Sequence, residues 1–341
     1  MSGKFRIGIN REIVTADGGT IFGEAAMKLL DDPAVEFEIL SEKVTELTPE
    51  HAARYDAFCL MSSKVTRQTL SRDDCRLRLV ARFGVGYDNV DVPACTDRGV
   101  LLTITPDGVR RPVAASVMLY VLALAHRLVL KDRLVRDGRW AEKGDFLGMG
   151  LMGRTLGVVG VGNIGREVLT LARTFDLRLL GCDPAVPQSS VADLGARMVD
   201  LPTLLRESDF VSVNCLLDDR TRGLIGAKEF DQMKRSAYFI NTARGPVVQE
   251  AALIDAIREK KIAGAAIDVF EQEPTPVDNA LLGFDNVIVA PHAICHTDEC
   301  MRMLGEGAFR AAIDLAHGRK PKHIVNTEAV RHASWAGKFH A

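Results

Sequence analysis

Two histidines, His292 and His296, stand four residues apart in the segment VIVAPHAICHT, residues 287–297. Four residues make about one helical turn, so a metal-binding pair on one helix face is one interpretation. The others are a catalytic acid/base beside a bystander, and two ordinary histidines. Pro291 disfavours helical geometry in the residue before it, and the sequence offers no further Asp or His at a suitable ligand spacing. The sequence therefore predicts different roles for the two histidines and no metal site.

Arg244 and Glu273 follow apolar runs in the same way as His292, in the segments INTARGP and DVFEQEP. Ligands of open parallel sheets bind outside the carboxyl ends of the strands. There an arginine can hold a carboxylate with two hydrogen bonds, a histidine can transfer a proton near neutral pH, and a carboxylate can orient that histidine. Together the three types suit the oxidation of a hydroxy acid. Taken singly, each residue also has a purely structural interpretation. Arg244 could form a salt bridge at a strand end, Glu273 could be an acid in a surface turn, and His292 could be a buried histidine with its hydrogen bonds satisfied.

A glycine-rich segment, GVVGVGNIGRE, places Gly160, Gly162 and Gly165 between an apolar run and a helical pattern. Asp183 follows the next apolar run, 18 residues after Gly165. Glycines allow a tight turn and let a pyrophosphate approach the backbone at a helix N-terminus, and the acidic residue can bind the adenosine ribose. The alternative is a structural glycine turn with a surface Asp. The context favours a dinucleotide site.

The elements that must position these residues alternate between strands and helices. Several of the apolar runs are apolar at consecutive positions, which is typical of strands covered on both faces in a parallel sheet. Such alternation predicts a doubly wound α/β sheet. The predicted strands are 156–160, 177–182, 210–215, 237–241, 264–270 and 286–290, with helices such as 163–174 and 250–260 between them.

The first hundred residues show the same alternation of strands and helices, but more weakly, and this predicts a second, smaller α/β unit. Its predicted strands are 5–10, 37–40, 57–62 and 77–83. An apolar helix at 113–125, too short to span a bilayer, follows a break at 103–108 and begins the larger domain. The last helix opens at Thr297, a good N-cap, and stops near Gly318. This last segment is expected to return and complete the small domain.

Composition limits the classes of partner. The 341 residues carry 43 Lys and Arg against 45 Asp and Glu, so no global field attracts nucleic acid or an anionic membrane. The length favours two domains. Seven scattered cysteines without a C-x-x-C pair indicate reduced thiols, and the start MSGKFRIGIN lacks the long apolar segment of a signal peptide. The sequence predicts a soluble, cytoplasmic chain.

Several segments resemble the D-isomer-specific 2-hydroxyacid dehydrogenases, the family that includes phosphoglycerate dehydrogenase and glyoxylate/hydroxypyruvate reductase. The likeness covers roughly residues 77–326. It is carried by GVVGVGNIGRE, FINTARGPVVQEAALIDAI, AGAAIDVFEQEP, NVIVAPH and, in the small unit, ARFGVGYDNVDVPACTDRGVLL. The resemblance implies two Rossmann-like doubly wound parallel-sheet domains with an active-site cleft between them. The predicted boundaries are 1–105 plus 297–327 for the substrate domain, 106–296 for the NAD-binding domain and 328–341 for a C-terminal tail, with Trp335 in that tail.

The resemblance also implies roles for individual residues. Matched residue by residue, the catalytic Arg, Glu and His of the family fall on Arg244, Glu273 and His292. Arg244 and the backbone amides of Val85 and Gly86 would bind the carboxylate of the substrate, and Asp268 would bind the nicotinamide amide. A homodimer through the NAD-binding domain is implied, with helix 113–125 and the arm through Trp140 at its interface. The predicted NAD-binding residues are Gly160, Gly162, Asn163, Ile164, Gly165, Asp183, Thr242, Ala243 and Asp268.

The chain also departs from the family pattern. A common carboxylate is replaced by Ala115, the segment ITPDGVRRP brings Arg110 and Arg111 near the expected cleft, and Asn214 and Leu216 replace a usual H-x-P. These departures leave the predicted catalytic residues in place but bear on the identity of the substrate.

Two functions remain on the sequence alone. The leading hypothesis is an NAD-dependent oxidoreductase that interconverts a D-2-hydroxy acid and its 2-oxo acid. The alternative is an NAD(H)-sensing binding protein of the corepressor kind, which shares the fold and can keep all three side chains. A cation pair at Arg110 and Arg111 also raises the hypothesis of a second anionic group on the substrate, against the simpler interpretation of solvated or phosphate-contacting arginines.

Overall fold

The computed structural model describes residues 3–335 and 338–339. Contacts divide the chain into two compact units. The small unit contains the residues up to Val109 together with those from His296 onward, and the large unit runs from Arg110 to Cys295. Each unit is built on one parallel sheet, so the predicted fold class of two α/β domains is confirmed.

The small unit has a five-stranded sheet in the order β2-β1-β3-β4-β5. Its strands are β1 Phe5–Ile9, β2 Val35–Ile39, β3 Ala57–Leu60, β4 Leu79–Arg82 and β5 Leu101–Thr103, and its helices include α1 Gly23–Met27, α2 Pro49–Arg54 and α3 Val92–Asp97. Three phenylalanines, Phe22, Phe83 and Phe309, pack with ring centroids 4.5–5.8 Å apart. This aromatic cluster packs at the end of β4, where the loop 84–90 begins.

The large unit has a seven-stranded sheet in the order β12-β11-β10-β9-β6-β7-β8. Its strands are β6 Thr155–Val159, β7 Arg178–Cys182, β8 Ala196–Met198, β9 Phe210–Val213, β10 Tyr238–Asn241, β11 Gly264–Ile267 and β12 Val287–Val289. The order reverses between β6 and β9, and ligands of such sheets bind outside the carboxyl ends of the strands at this switch point.

Helices cover both faces of the large sheet. They are α4 Pro106–Ala125, which starts in the small unit, α5 Leu128–Arg136, α6 Asn163–Ala172, α7 Leu201–Glu207, α8 Ala227–Phe230 and α9 Glu250–Arg258. Successive strand residues point to opposite faces: Tyr238 and Ile240 join one buried cluster with α4 and α6, whereas Phe239 joins the other with α7, α8 and α9. Two covered faces explain why these strands are apolar at consecutive positions.

Two short strands, β5 and β8, were not predicted from the sequence, and the predicted break at 103–108 is wrong. Helix α4 begins at Pro106, because proline is well accommodated in the first turn of a helix. Gly108 allows close packing there, since a Cβ on it would lie 3.0 Å from Leu304 Cδ2.

Helix α4 is 20 residues long and apolar enough to cross a membrane by length and composition alone. However, 67% of its most apolar window is buried inside the protein. A core helix passes the same test, so this feature is weak evidence for a membrane segment.

The C-terminal helix α10, Asp298–Ala316, belongs to the small unit. Its predicted limits are confirmed: Thr297 Oγ1 accepts a hydrogen bond from Cys300 N over 3.2 Å, and Gly318 has a φ of +72°. Beyond it, Trp335 is only 3% exposed and donates from Nε1 to Gly99 O over 2.7 Å. The described part of the C-terminal segment thus packs on the small unit.

Candidate active site

The three glycines of the predicted dinucleotide loop lie between β6 and α6, and each has a distinct backbone role. Gly160 has a φ of +87°, and a Cβ on it would lie 2.5 Å from Cys215 N. A Cβ on Gly165 would lie 2.1 Å from Gly160 O. Around Gly162, the N-cap of α6, a Cβ would have no described atom within 4 Å. The loop therefore turns tightly and packs closely, while open space remains at the end of the helix.

The amides of Asn163, Ile164 and Gly165 form the first turn of α6. The first groups of a helix lack intrahelical partners, and Arg166 N is bonded to Gly162 O. This arrangement suits a diphosphate, because free N–H groups and the helix dipole both favour an anion.

Asp183 follows β7 and faces this loop. Its Oδ2 accepts a hydrogen bond from Val161 N and its Oδ1 accepts one from Ala185 N, both over 2.9 Å. Each carboxylate oxygen has further acceptor capacity for ribose hydroxyls.

Arg220 is a cation near Asp183 that the sequence did not reveal. The hydrogen bond from its guanidinium to Asp218, and with smaller weight the charge of Asp183, raise the pKa of Arg220. Its Nη2 lies 2.7 Å from Asp218 Oδ2. The residues beside Asp183, Cys182 and Pro184, carry no positive charge, and Arg220 has Asp218 as its ion-pair partner.

Two buried polar oxygens lie at the carboxyl ends of β9 and β10. Asn214 Oδ1 and Thr242 Oγ1 have no hydrogen-bond partner within the described chain. The other end of the Asn214 amide donates to Ser212 O and Oγ. Buried polar atoms are usually satisfied, so these two fit a bound molecule that brings hydroxyl or amide groups, as NAD does.

His292 and Glu273 form the predicted pair. His292 Nδ1 lies 2.8 Å from Glu273 Oε2, and Glu273 Oε1 accepts a hydrogen bond from Phe270 N over 3.0 Å. The side chains are 44% and 37% exposed, respectively. Since Nδ1 is engaged, Nε2 is the ring nitrogen that can exchange a proton with a ligand.

The environment keeps Glu273 ionised. Burial raises the pKa of Glu273, but the hydrogen bond and charge of His292, the Phe270 N–H and the charge of Arg244 together outweigh this effect. The pKa of the carboxyl therefore lies below its ordinary value of 4.5. The ionised carboxylate can therefore accept a hydrogen bond from the Nδ1–H of His292.

The backbone holds His292 in an uncommon conformation. Its φ is +55°, and its N–H donates to Asp268 O over 2.7 Å. Asp268 Oδ1 accepts from Ala293 N and Ile294 N over 3.0 and 3.2 Å. Asp268 is 3% exposed, so besides its predicted nicotinamide contact it anchors the loop that carries the histidine.

Arg244 is brought to the same region by a tight turn after β10. Ala243 N donates to Asn241 Oδ1 over 3.0 Å, and Asn241 Nδ2 donates to Arg244 O over 3.1 Å. A Cβ on Gly245 would lie 1.8 Å from Phe270 O, so only glycine allows this turn to approach the segment that leads to Glu273. The structure thus assembles the predicted trio in the large unit.

The loop with Val85 and Gly86, the predicted carboxylate-binding amides, lies in the small unit after β4. Gly84 has a φ of +130°, and its N–H donates to Thr105 Oγ1 over 2.7 Å while Thr105 N donates to Gly84 O over 3.0 Å. Thr105 is 5% exposed. This reciprocal pair, which could not be predicted from the sequence, fixes the backbone of Gly84, the residue before Val85.

Arg110 and Arg111 are engaged within the large unit. Arg111 Nη1 lies 2.7 Å from Glu167 Oε1, and Arg110 Nε lies 3.7 Å from Glu167 Oε2. Both arginines thus share one carboxylate partner on α6, and their side chains are about half exposed.

The two histidines of the opening segment do not form a helical pair. The chain between them is irregular, and α10 begins only at Asp298. Within residues 3–335 and 338–339, no group of three His, Cys, Asp or Glu could hold a metal ion.

Comparisons with known proteins show which family the chain belongs to. Residues 118–293 match the family model described as "D-isomer specific 2-hydroxyacid dehydrogenase, NAD binding domain". The glyoxylate reductase of Korarchaeum cryptofilum is 41% identical over 259 residues, which are 75% of this chain and 78% of that protein. The D-3-phosphoglycerate dehydrogenase of Archaeoglobus fulgidus is 33% identical over 90% of this chain, which spans 58% of that longer protein.

A solved glyoxylate reductase from Paecilomyes thermophila superposes with a TM-score of 0.81 at 26% identity, and the match covers 95% of this chain and 99% of that one. Relatives that are named as enzymes support catalysis over the alternative of an NAD(H)-sensing binding protein. With its two parallel sheets and its Arg, Glu and His at three strand ends, the chain belongs to the D-isomer-specific 2-hydroxyacid dehydrogenases, NAD-dependent oxidoreductases that interconvert a D-2-hydroxy acid and its 2-oxo acid.

Proposed function

We propose that the chain is a reductase of small 2-oxo acids without a second anionic group, such as glyoxylate and hydroxypyruvate. The observation that carries this proposal is the Arg244–Glu273–His292 cluster, which offers one cation for one carboxylate and one proton donor. The engagement of Arg110 and Arg111 by Glu167 supports a substrate with a single anionic group. Relatives named glyoxylate reductase support the same substrate class.

Each side chain then has one task. The guanidinium of Arg244 and the amides of Val85 and Gly86 bind the substrate carboxylate. His292 Nε2 donates a proton to the 2-oxo oxygen, and Glu273 holds the ring and stabilises the imidazolium before that transfer. Bound NADH supplies the hydride. In the reverse direction the imidazole starts neutral and accepts the hydroxyl proton.

The cofactor contacts follow from the large unit. The amides of Gly162, Asn163, Ile164 and Gly165 bind the diphosphate, and Asp183 binds the adenosine ribose. The nicotinamide half of NAD is bound by Thr242, Ala243 and Asp268. Gly160 allows the backbone to turn tightly at the start of the diphosphate loop. The unpartnered Thr242 Oγ1 supports this assignment.

A panel of 2-oxo acids assayed with NADH tests the activity. We expect turnover of glyoxylate and hydroxypyruvate that falls about 10²–10⁴-fold in His292→Ala, the usual loss for a general acid, with NADH binding unchanged. Binding of NADH without turnover of any acid on the panel would contradict the proposal.

We also propose a homodimer formed through the large unit. Five large apolar side chains between residues 128 and 152 are more than half exposed: Leu128 at 55%, Val135 at 57%, Trp140 at 64%, Leu147 at 77% and Met152 at 82%. Exposed apolar surface of this kind is typical of an interface. Light scattering should give twice the chain mass for the wild type and a monomer for Trp140→Glu combined with Leu147→Glu.

A cytoplasmic location completes the proposal. All seven cysteines are free thiols, which is typical of a reducing compartment. Fractionation of cells that produce the protein, followed by thiol labelling, tests this expectation.

A further inference from the structure

The loop that follows β3 in the small unit binds a carboxylate of the chain itself. Met61 N donates to Glu12 Oε1 over 2.6 Å, and Ser62 N donates to Oε1 and Oε2 over 3.1 and 3.2 Å. The hydroxyl of Ser62 also donates to Oε2. Two consecutive amides that share one carboxylate form an anion-binding concavity.

Buried polar groups hold this concavity in place. Arg82 is only 6% exposed, and its guanidinium donates to Met61 O. Asn10, fully buried, donates from Nδ2 to Ser63 Oγ over 2.5 Å and to Val44 O over 2.9 Å. The amides are therefore fixed towards one point, and a positive charge lies beside them.

The concavity neighbours the amides proposed to bind the substrate carboxylate. Strands β3 and β4 are adjacent, with Leu60 opposite Arg82, and adjacent strands lie about 4.8 Å apart. Asn89 ties the two loops together directly, since its Nδ2 donates to Ser63 O over 2.5 Å. An acid held at Val85 and Gly86 would thus extend along the same sheet edge as Glu12.

We infer that Glu12 is a specificity-determining residue, because its carboxylate occupies a site that would otherwise accept a second anionic group of the substrate. This inference rests on the proposed function, since it assumes that the substrate carboxylate lies at Val85 and Gly86. The carboxylate of Glu12 accepts the hydrogen bonds of the Met61 and Ser62 amides, and its negative charge repels a distal phosphate or carboxylate of the substrate. The wild-type chain accordingly prefers monoanionic 2-oxo acids, and removal of the carboxylate opens an anion site.

Hydroxypyruvate and 3-phosphohydroxypyruvate form a matched substrate pair, because they differ only in the distal phosphate. We expect Glu12→Ala to shift the ratio of their kcat/KM values at least tenfold towards the phosphorylated acid, through a lower KM for that acid. Glu12→Gln should shift the ratio less, since it removes the repulsion but leaves the site filled. Glu42→Ala, which removes an exposed glutamate of the same unit, should leave the ratio unchanged.

A second readout does not depend on turnover. Inorganic phosphate at millimolar concentration should raise the Tm of Glu12→Ala by roughly 2–4 °C, because a ligand that binds only the folded state stabilises it. The same concentration of phosphate should change the Tm of the wild type and of Glu42→Ala by less than about 1 °C, because neither protein offers the open anion site.

The inference is overturned if the substrate ratio stays at the wild-type value in both Glu12 variants, or if phosphate stabilises Glu12→Ala no more than the wild type. A merely structural role for Glu12 would lower the Tm and both kcat/KM values together without moving their ratio. If Glu12→Ala does not fold, the ratio in Glu12→Gln decides. Absence of turnover by the wild type would refute the proposed function instead, while the phosphate measurement would still test the anion site.

Discussion

Replacing Glu273 by Gln would separate the charge of this residue from its geometry. In the wild type, Glu273 Oε2 lies 2.8 Å from His292 Nδ1 and Oε1 accepts the Phe270 N–H. A glutamine has the same shape but only one acceptor oxygen, so when that oxygen accepts from the imidazole N–H, the amide group faces the Phe270 N–H and that hydrogen bond is lost. The variant therefore removes the negative charge and one acceptor while keeping the size of the side chain.

The expected magnitude follows from the exposure of the pair. A hydrogen bond to a charged group contributes about 1.5–3 kcal/mol. Because the side chains of Glu273 and His292 are 37% and 44% exposed, solvent screening places the pair at the lower end of that range. About 1.5 kcal/mol corresponds to a roughly tenfold loss of kcat/KM. His292→Ala removes the proton donor itself and should cost about 10²–10⁴.

The pH dependence has a defined sign. The folded-state pKa of Glu273 is lowered below 4.5, so its ionised form contributes at every pH above that value and is lost only as the pH falls through the folded pKa. The difference between the wild type and Glu273→Gln should therefore persist from about pH 5 to 9 and narrow below about pH 4.5.

Steady-state reduction of glyoxylate by NADH across this pH range measures the effect. Glu271→Gln is the matched control, because Glu271 lies two residues earlier and its Oε1 accepts from Glu250 N; it should stay near the wild-type rate. A Glu273→Gln enzyme with unchanged kcat/KM at neutral pH would refute the reasoning, as would one that is as impaired as His292→Ala.

The remaining predictions concern the cofactor, the small unit and the arginine pair. Asp183 should repel a 2′-phosphate and favour NADH roughly tenfold to a hundredfold, because two like charges at an effective dielectric near 20 repel by about 1–3 kcal/mol; equal catalytic efficiency with NADPH would contradict this. Thr105→Val should raise the KM for glyoxylate about tenfold, as expected for a lost hydrogen bond of about 1.4 kcal/mol. Thr105→Ser should restore the wild-type KM, and neither variant should change the Kd for NADH. A wild-type KM in Thr105→Val would exclude a positioning role for Thr105. Arg111→Ala should change the KM values of glyoxylate and of 3-phosphohydroxypyruvate by the same small factor, because its partner is Glu167; a selective rise for the phosphorylated acid would restore the second-anion hypothesis.

The sequence predicted the large sheet well because its strands are covered on both faces. The runs at 156–160 and 237–240 carry no charged or amide side chain, and β6 and β10 overlap the predicted strands to within one residue at each end. The edge strand β8 has only three residues, with Arg197 exposed. Such a strand leaves almost no periodic signal, since one face and one edge are open to solvent.

The trio of Arg244, Glu273 and His292 could be predicted because each residue lies in the loop that follows a strand, and parallel strands end on the same edge of a sheet. The supporting side chains could not be found in this way. Asn241 bonds Ala243 N and Arg244 O in the turn after its own strand, and this contact depends on the conformation of that turn. Thr105 bonds Gly84 from a different strand end, and this contact depends on how two elements are placed side by side, which a single sequence does not specify.

The histidine pair shows why spacing alone does not predict a metal site. A separation of four residues brings side chains together only on a helix, and the backbone at His292 is left-handed, with a φ of +55°. That conformation is stabilised by the bond from His292 N to Asp268 O and directs Nδ1 to Glu273. The same backbone geometry that excludes a helical metal pair therefore creates the acid/base pair, and the proline before His292 is the sequence signal that distinguishes the two.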